Sequence, residues 1–139
     1  MEFSFEIFPE EHIIIESFSG ELTRSKMFEA FLRVWSHPAY QRTFRGLSDI
    51  GDAHFNMTLS EFRAMEEEMY RHPLKCQVKW ACVSDTPSST AFGILHEKAS
   101  QACFKFSVFS DWTSGFRWVE QPLQLERVER VRKKRSVLV

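Results

Sequence analysis

The sequence has few of the residues and segments that define several common protein classes. Its three cysteines include no CxxC pair and do not describe the disulfide framework of a small secreted domain. No apolar run approaches the ~20 residues of a membrane-spanning helix, and the N-terminus has no basic segment followed by an apolar one. We therefore expect a cytoplasmic protein with no membrane span.

Chemical motifs are also absent. The chain has five glycines in 139 residues and neither a Walker-type nor a GxGxxG loop, so a loop that cradles phosphate is not indicated. It has no GxSxG nucleophile motif. No two of its histidines have the helical i, i+4 spacing of zinc ligands and no two of its cysteines form a CxxC pair, so Cys76 and Cys82 are predicted to be buried thiols. We expect no catalysis, no metal and no cofactor.

Net charge is −1, from 18 Lys and Arg against 19 Asp and Glu, which does not favour specific binding of nucleic acid. The average conceals an asymmetry. Residues 123–139 carry a net charge of +4, and residues 1–122 carry −5. We therefore divide the chain into a domain, 1–122, and a basic C-terminal tail, 123–139, with these cations near its end: Arg130, Arg132, Lys133, Lys134 and Arg135.

Three interpretations of the tail remain open. It is a solvated terminus, a helical extension that contacts an anionic lipid or nucleic acid, or a segment that packs on the acidic domain of a neighbouring subunit. In the last case Glu66, Glu67 and Glu68 are natural partners.

Apolar periodicity predicts an α/β fold with the order β-β-α-β-α-β-α-β-α, a mixed but mainly parallel sheet flanked by helices. The first two strands form a hairpin. The predicted strands are 3–8, 12–18, 44–50, 74–84 and 104–109, and the predicted helices follow Thr23, Thr58, Pro87 and Ser110. We expect Gly51 and Asp52 to begin a loop after the third strand, and Leu59 to face inward from the second helix.

Four segments in this order resemble the SpoIIAA-like family, which has the STAS-type fold of anti-sigma-factor antagonists. They are Ile13-Ile14-Ile15-Glu16 leading into Phe18-Ser19-Gly20-Glu21-Leu22-Thr23, then Leu47-Ser48-Asp49-Ile50, then Val78 to Val83, then Phe106-Ser107-Val108-Phe109 with Trp118-Val119. The resemblance implies a non-catalytic regulatory module that binds a protein partner. We expect it to act as a homodimer.

In the antagonists a phosphorylatable serine lies in a short Asp-Ser-Ser-Gly-like loop before a helix. This sequence has a longer segment there, from Asp49 to Ser60, without that motif. Within it, Thr58 and Ser60 are the candidate phosphorylation sites.

Two segments that end parallel strands are the candidate site, because open α/β sheets bind ligands beyond the carboxyl ends of their strands. The first is 49–60 and the second is 84–90. Both also suit an ordinary role in capping helices. The candidate contact residues are Asp49, Asp52, His54, Asn56, Thr58, Ser60, Ser84, Asp85, Thr86 and Ser88.

Phenylalanine is unusually frequent, with 14 residues against two tyrosines. Most lie on the predicted inner faces and favour a dense core. The alternative is a Phe-lined groove that carries a small apolar, lipid-like molecule, by analogy with CRAL-TRIO lipid carriers, which are similar in architecture.

Overall fold

The structure is a computed structural model that describes residues 1–84, 86, 94 and 105–138. The elements are β1 Glu2–Phe8, β2 Ile13–Leu22, α1 Arg24–Trp35, β3 Arg45–Phe55, α2 Leu59–Arg71, β4 Lys79–Val83, β5 Lys105–Phe109, α3 Trp112–Trp118, α4 Leu125–Lys133 and β6 Ser136–Val137. The predicted helix after Pro87 lies outside the described residues. No helix in the described part of the chain is long and apolar enough to cross a membrane.

The sheet confirms the predicted fold class. Its strand order is β5-β4-β3-β2-β1-β6, with β2 to β5 parallel and β1 antiparallel to both neighbours. The predicted hairpin is β1 and β2, and its turn contains His12 in the left-handed region at φ 56°. Parallel neighbours require crossover connections, so helices cover the faces of the sheet.

The third strand is longer than predicted. The expected loop at Gly51 and Asp52 is wrong, because β3 continues to Phe55. It does so because β2 also continues, past an irregularity between Ser17 and Ser19, and supplies hydrogen bonds as far as Leu22. The signal available in the sequence was the alternation of polar Asp52, apolar Ala53 and polar His54.

Two of the predicted helix caps are confirmed, one cap is corrected, and one residue predicted to face inward is exposed. Thr23 and Thr58 cap α1 and α2, and the Thr58 hydroxyl accepts from the Glu61 amide at 3.1 Å. Asp111, rather than Ser110, caps α3, since a carboxylate accepts more strongly from the Ser114 amide, at 2.7 Å. Leu59 does not face inward: it is 50% exposed in the first turn of α2.

The fourth strand is shorter than the predicted 74–84 and spans only Lys79–Val83. The residues before it contact the segment after α1 instead: the Gln77 amide donates to the Arg42 carbonyl, and Cys76 is buried in the core of the α1–α2 face. Cys76 and Cys82 are buried thiols, as predicted.

Two apolar clusters lie on opposite faces of the sheet. On the α1–α2 face, side chains of β2, β3 and β4 pack against Met27, Val34, Phe62 and Met65. On the α3–α4 face, side chains of the same strands pack against the residues Phe116, Val119, Val128 and Val131. Successive residues of a strand therefore enter different cores.

The C-terminal segment packs on the rest of the chain. Val128 and Val131 of α4 are buried against the sheet, and Leu138 is 3% exposed. Strand β6 then pairs with the start of β1, and Ser4 of β1 donates to the carbonyl of Val131. Residues 125–138 therefore cover part of one face and one edge of the sheet, instead of extending into solvent.

Candidate functional site

The carboxyl ends of β3 and β4 open into a cleft of about 270 Å³ on the α3–α4 face. Its lining includes Asp49, Asp52, Val83, Ser84, Trp112 and Arg132. Of the predicted site residues, the structure brings Asp49, Asp52 and Ser84 together here. The position follows from topology, because parallel strands end at the same edge of the sheet.

Asp49 forms the floor of this cleft. Its side chain is 2% exposed, and its carboxylate accepts from the Ser17 hydroxyl at 2.9 Å and from the Gly51 amide at 3.3 Å. The Arg132 guanidinium adds two further hydrogen bonds, from Nε at 2.6 Å and from Nη2 at 3.3 Å. A buried carboxylate requires such partners, and this one has them from three elements.

Arg132 comes from the end of α4 and fixes that helix to the sheet. Besides Asp49 it donates to Glu129 at 2.7 Å, and its guanidinium lies 5.8 Å from the centre of the Trp112 ring. The hydrogen bonds with Asp49 raise the pKa of Arg132 above its ordinary value. The two-pronged geometry is the one that arginine makes with carboxylates.

Other cations of the C-terminal segment also pair with acids of the sheet layer. Arg127 binds Glu11 at 2.7 Å, Arg135 binds Asp52 at 3.1 Å, and both Arg130 and Lys134 bind Glu6. Lys133 is exposed. In this chain the basic segment therefore meets acids of β1, β3 and the hairpin turn.

Two of those acids have lowered pKa values. The hydrogen bond from Arg127 lowers the pKa of Glu11. Burial alone raises the pKa of Glu6, but hydrogen bonds from Lys134 and Arg130 outweigh it and hold the pKa below its usual value. Both carboxylates stay charged at neutral pH.

The remaining residues of the first segment lie outside the cleft, along an exposed rim. His54 is exposed at the end of β3, Asn56 donates to Glu21, and Thr58 caps α2. Leu59 and Ser60 are exposed in the first turn of that helix. We call His54, Asn56, Thr58, Leu59 and Ser60 the α2 rim.

The second segment is described only in part. Ser84 is 1% exposed, its amide donates to Phe109, and its hydroxyl accepts from the Thr86 amide at 3.1 Å. Asp85 and Ser88 lie outside the described residues. These contacts join Ser84, directly after β4, to Phe109 of β5 and to Thr86.

Sequence reasoning missed a chain of hydrogen-bonded polar side chains inside the α1–α2 face. Trp80 donates through Nε1 to the Ser48 hydroxyl at 2.7 Å, and Ser48 donates to Oε1 of Glu16 at 2.5 Å. Glu16 is 2% exposed. The available signal was its place between Ile14 and Phe18 at strand spacing, which puts a carboxyl on an apolar face.

Gly46 makes room for this arrangement. It pairs with Trp80 across β3 and β4, and a Cβ on residue 46 would stand 2.5 Å from atoms of the indole ring. Such contacts are sterically forbidden. The absence of a side chain here lets the indole cross β3 and reach Ser48.

The described phenylalanines mostly fill the core. Phe3 and Phe18 pack with ring centres 4.8 Å apart, and Phe62 is 2% exposed. No observation bears on a bound apolar molecule, so the carrier alternative stays a prediction. Among the described residues, no three His, Cys, Asp or Glu side chains form a group that could hold a metal ion.

Comparisons with known proteins give one informative result. No family model matches the chain, and no curated protein matches it. Among solved structures it is similar to an uncharacterized protein of the DUF3478 family from Shewanella loihica PV-4, which has a SpoIIAA-like fold. The TM-score is 0.57 with 12% sequence identity, over 86% of this chain and 95% of that one. The resemblance read from the sequence is thus confirmed in three dimensions, and the chain has the SpoIIAA-like, STAS-type fold.

Proposed function

We propose that the protein is a non-catalytic STAS-like module that regulates a protein partner by binding it through the α2 rim. The observation that carries this proposal is the saturation of Asp49. Its carboxylate already accepts four hydrogen bonds from the chain itself. A general base or nucleophile needs a free lone pair directed at its substrate, so the cleft floor serves to hold α4 in place.

The α2 rim has the features of a contact surface. Leu59 is a half-exposed apolar side chain among the polar groups of His54, Asn56 and Ser60. Apolar anchors within a polar surround are typical of protein interfaces. The rim also follows the end of β3, where α/β sheets place their ligands.

Modification of Thr58 or Ser60 is the proposed control of this surface. Phosphate on either side chain adds negative charge at the start of α2 and three acceptor oxygens beside Leu59. Thr58 already caps the helix, so a phosphate there also changes the capping geometry. We further propose that the protein works in the cytoplasm as a homodimer.

Site-specific crosslinking tests the rim in cells. A photoreactive residue is placed at Leu59, and in a matched control at Tyr70, which is 47% exposed near the other end of the same helix. We expect one discrete crosslinked protein from position 59 and none from position 70. Equal crosslinking at both positions, or none at position 59, contradicts the proposal.

A second measurement tests the control by charge. Once the crosslinked partner is purified, Ser60→Glu is expected to change its affinity at least tenfold, because Ser60 lies beside the anchor. The control is Glu67→Gln, an exposed site on the same helix. If Ser60→Glu and Glu67→Gln bind like the wild type, phosphorylation of the rim does not regulate binding.

A further inference from the structure

The carboxyl group of Glu16 is buried among apolar side chains. Glu16 lies on β2, a central strand of the sheet, and its side chain enters the α1–α2 face between Ile14 and Phe18, which are 0% and 1% exposed. Ionised carboxylates at such depth are normally paired with a cation. This feature plays no part in the proposed function.

A short chain of hydrogen bonds leads from Trp80 through Ser48 to one oxygen of Glu16. The Ser48 hydroxyl accepts a hydrogen bond from Trp80 and donates its single hydrogen to Oε1 of Glu16. The other oxygen, Oε2, has no hydrogen-bond partner among the described residues. A charged Oε2 there loses all its hydration, whereas a protonated Oε2 leaves only a neutral hydroxyl unpaired, which costs far less.

Among the described residues, none of the groups around Glu16 supplies a compensating positive charge. On β1 the residue opposite Glu16 is Phe5, and on β4 the residue opposite Ser48 is Cys82. The inward side chains of α1 and α2 in this cluster are apolar, among them Met27, Val34, Phe62 and Met65.

In the part of the chain that the structure describes, the Cys82 thiol and the Tyr40 phenol interact electrostatically with Glu16. Burial raises the pKa of each, so both are neutral at physiological pH. Cys82 also feels the charge of Asp49, whose carboxylate enters the opposite face and is paired with Arg132. None of these groups stabilises a negative charge on Glu16.

We propose that Glu16 is a proton-binding site built into the core, which couples close packing of α1 and α2 on the sheet to the uptake of one proton. Folding buries the group, and burial favours its neutral form. When the proton leaves, the carboxylate gains by meeting water, which requires the helical layer to open. Burial raises the pKa of Glu16 to about 7, and the hydrogen bond from Ser48 only partly opposes that rise.

The pH dependence has a definite sign. The pKa of Glu16 is higher in the folded chain than its ordinary value of 4.5, so the folded state holds the proton more tightly. The stabilisation is complete below pH 4.5 and is lost as the pH rises through about 7. Between pH 5.5 and 8 we expect the unfolding equilibrium constant to increase on the order of 25-fold from this group.

Titration of the full-length protein by NMR tests the proposal directly. With ¹³C-labelled glutamate, one carboxyl resonance is expected to titrate with a midpoint near pH 7, and to be missing in Glu16→Gln. Exposed Glu67→Gln is the control and leaves that resonance in place. If every glutamate of the wild type titrates below pH 5.5, the proposal is wrong.

Amide hydrogen exchange tests the coupling. After correction for intrinsic rates, α1 and α2 are expected to open on the order of tenfold more often at pH 8 than at pH 6 in the wild type. In Glu16→Gln the two values should agree. Equal opening in the wild type overturns the coupling even if Glu16 titrates near neutrality.

Ser48→Ala gives an independent test if Glu16→Gln does not fold. It removes the one hydrogen bond that lowers the pKa of Glu16, so the midpoint should move upward. A midpoint that is unchanged or lower contradicts the proposed geometry.

Discussion

Two buried carboxyl groups on neighbouring strands, Glu16 and Asp49, meet opposite conditions on the two faces of one sheet. Each is 2% exposed. Asp49 enters the α3–α4 face, where Ser17, Gly51 and Arg132 bind it. Glu16 enters the α1–α2 face, where Ser48 is its one hydrogen-bond partner among the described residues. Burial alone therefore does not decide the state of an acid: its partners decide, and they come from distant parts of the chain.

The consequences for the two helical layers differ. An ion pair at Asp49 holds α4 firmly, since removal of Arg132 leaves the buried Asp49 carboxylate without a cation. A lone acid at Glu16 makes the packing of α1 and α2 depend on pH. The α3–α4 face is held by an ion pair, whereas close packing of the α1–α2 face requires the Glu16 carboxyl group to be protonated.

The largest expected effect comes from breaking the paired face. Arg132→Ala leaves the Asp49 carboxylate buried with only neutral donors, and we expect a loss of about 3 kcal/mol in the free energy of unfolding at pH 7. Chemical denaturation measures it. The matched control is Arg130→Ala on the same helix, whose side chain is 51% exposed, with an expected loss of about 0.5 kcal/mol. Equal losses would show that Asp49 does not depend on Arg132.

A smaller effect is expected from disturbing the unpaired face without touching Glu16. Gly46→Ala places a methyl group against the Trp80 indole and pushes it away from Ser48. We expect a loss of about 2 kcal/mol from overpacking, with a change in tryptophan fluorescence. In a Trp80→Leu background the same substitution should cost less than half as much. A full cost there would place the strain elsewhere.

The smallest effect concerns Glu6, a partly exposed acid that lies between the two extremes. Its pKa is lowered below 4.5 by Lys134 and Arg130, so its stabilising contribution is present above that pH and is lost as the pH falls through the folded value. After allowance for solvent screening we expect about 0.5 kcal/mol. Between pH 5 and pH 3, Glu6→Gln should therefore lose less stability than the wild type. Parallel stability curves would mean that these pairs contribute nothing.

Local patterns predicted much of this molecule. The hairpin and the Thr23 and Thr58 caps follow from periodicity and short-range hydrogen bonding, which neighbouring residues determine. The alternation of strands and helices after the hairpin also predicted a mainly parallel sheet. The errors lie where distant segments decide. Strand β3 extends beyond Ile50 because β2 is there to pair with it, and no local pattern contains that partner.

The site divides in the same way. We predicted that Asp49, Asp52 and Ser84 lie at one edge of the sheet, because parallel strands end at the same edge. All three line the cleft. Sequence reasoning did not predict Arg132 as the partner of Asp49, which lies 83 residues away. The assignment of the α2 rim as a contact surface stays a prediction.

By itself the sequence determined most of the described elements before residue 119, their order along the chain, and the split between an acidic body and a basic end, since these are properties of composition and period. It left α4 as one of several alternatives and did not predict β6. Only the tertiary structure decided what the charges do. It set the basic end on the acids of its own sheet and left Glu16 facing an apolar layer. The physical reason is that a charge is stabilised by what lies within a few ångströms of it, and in a folded chain those neighbours are mostly remote in sequence.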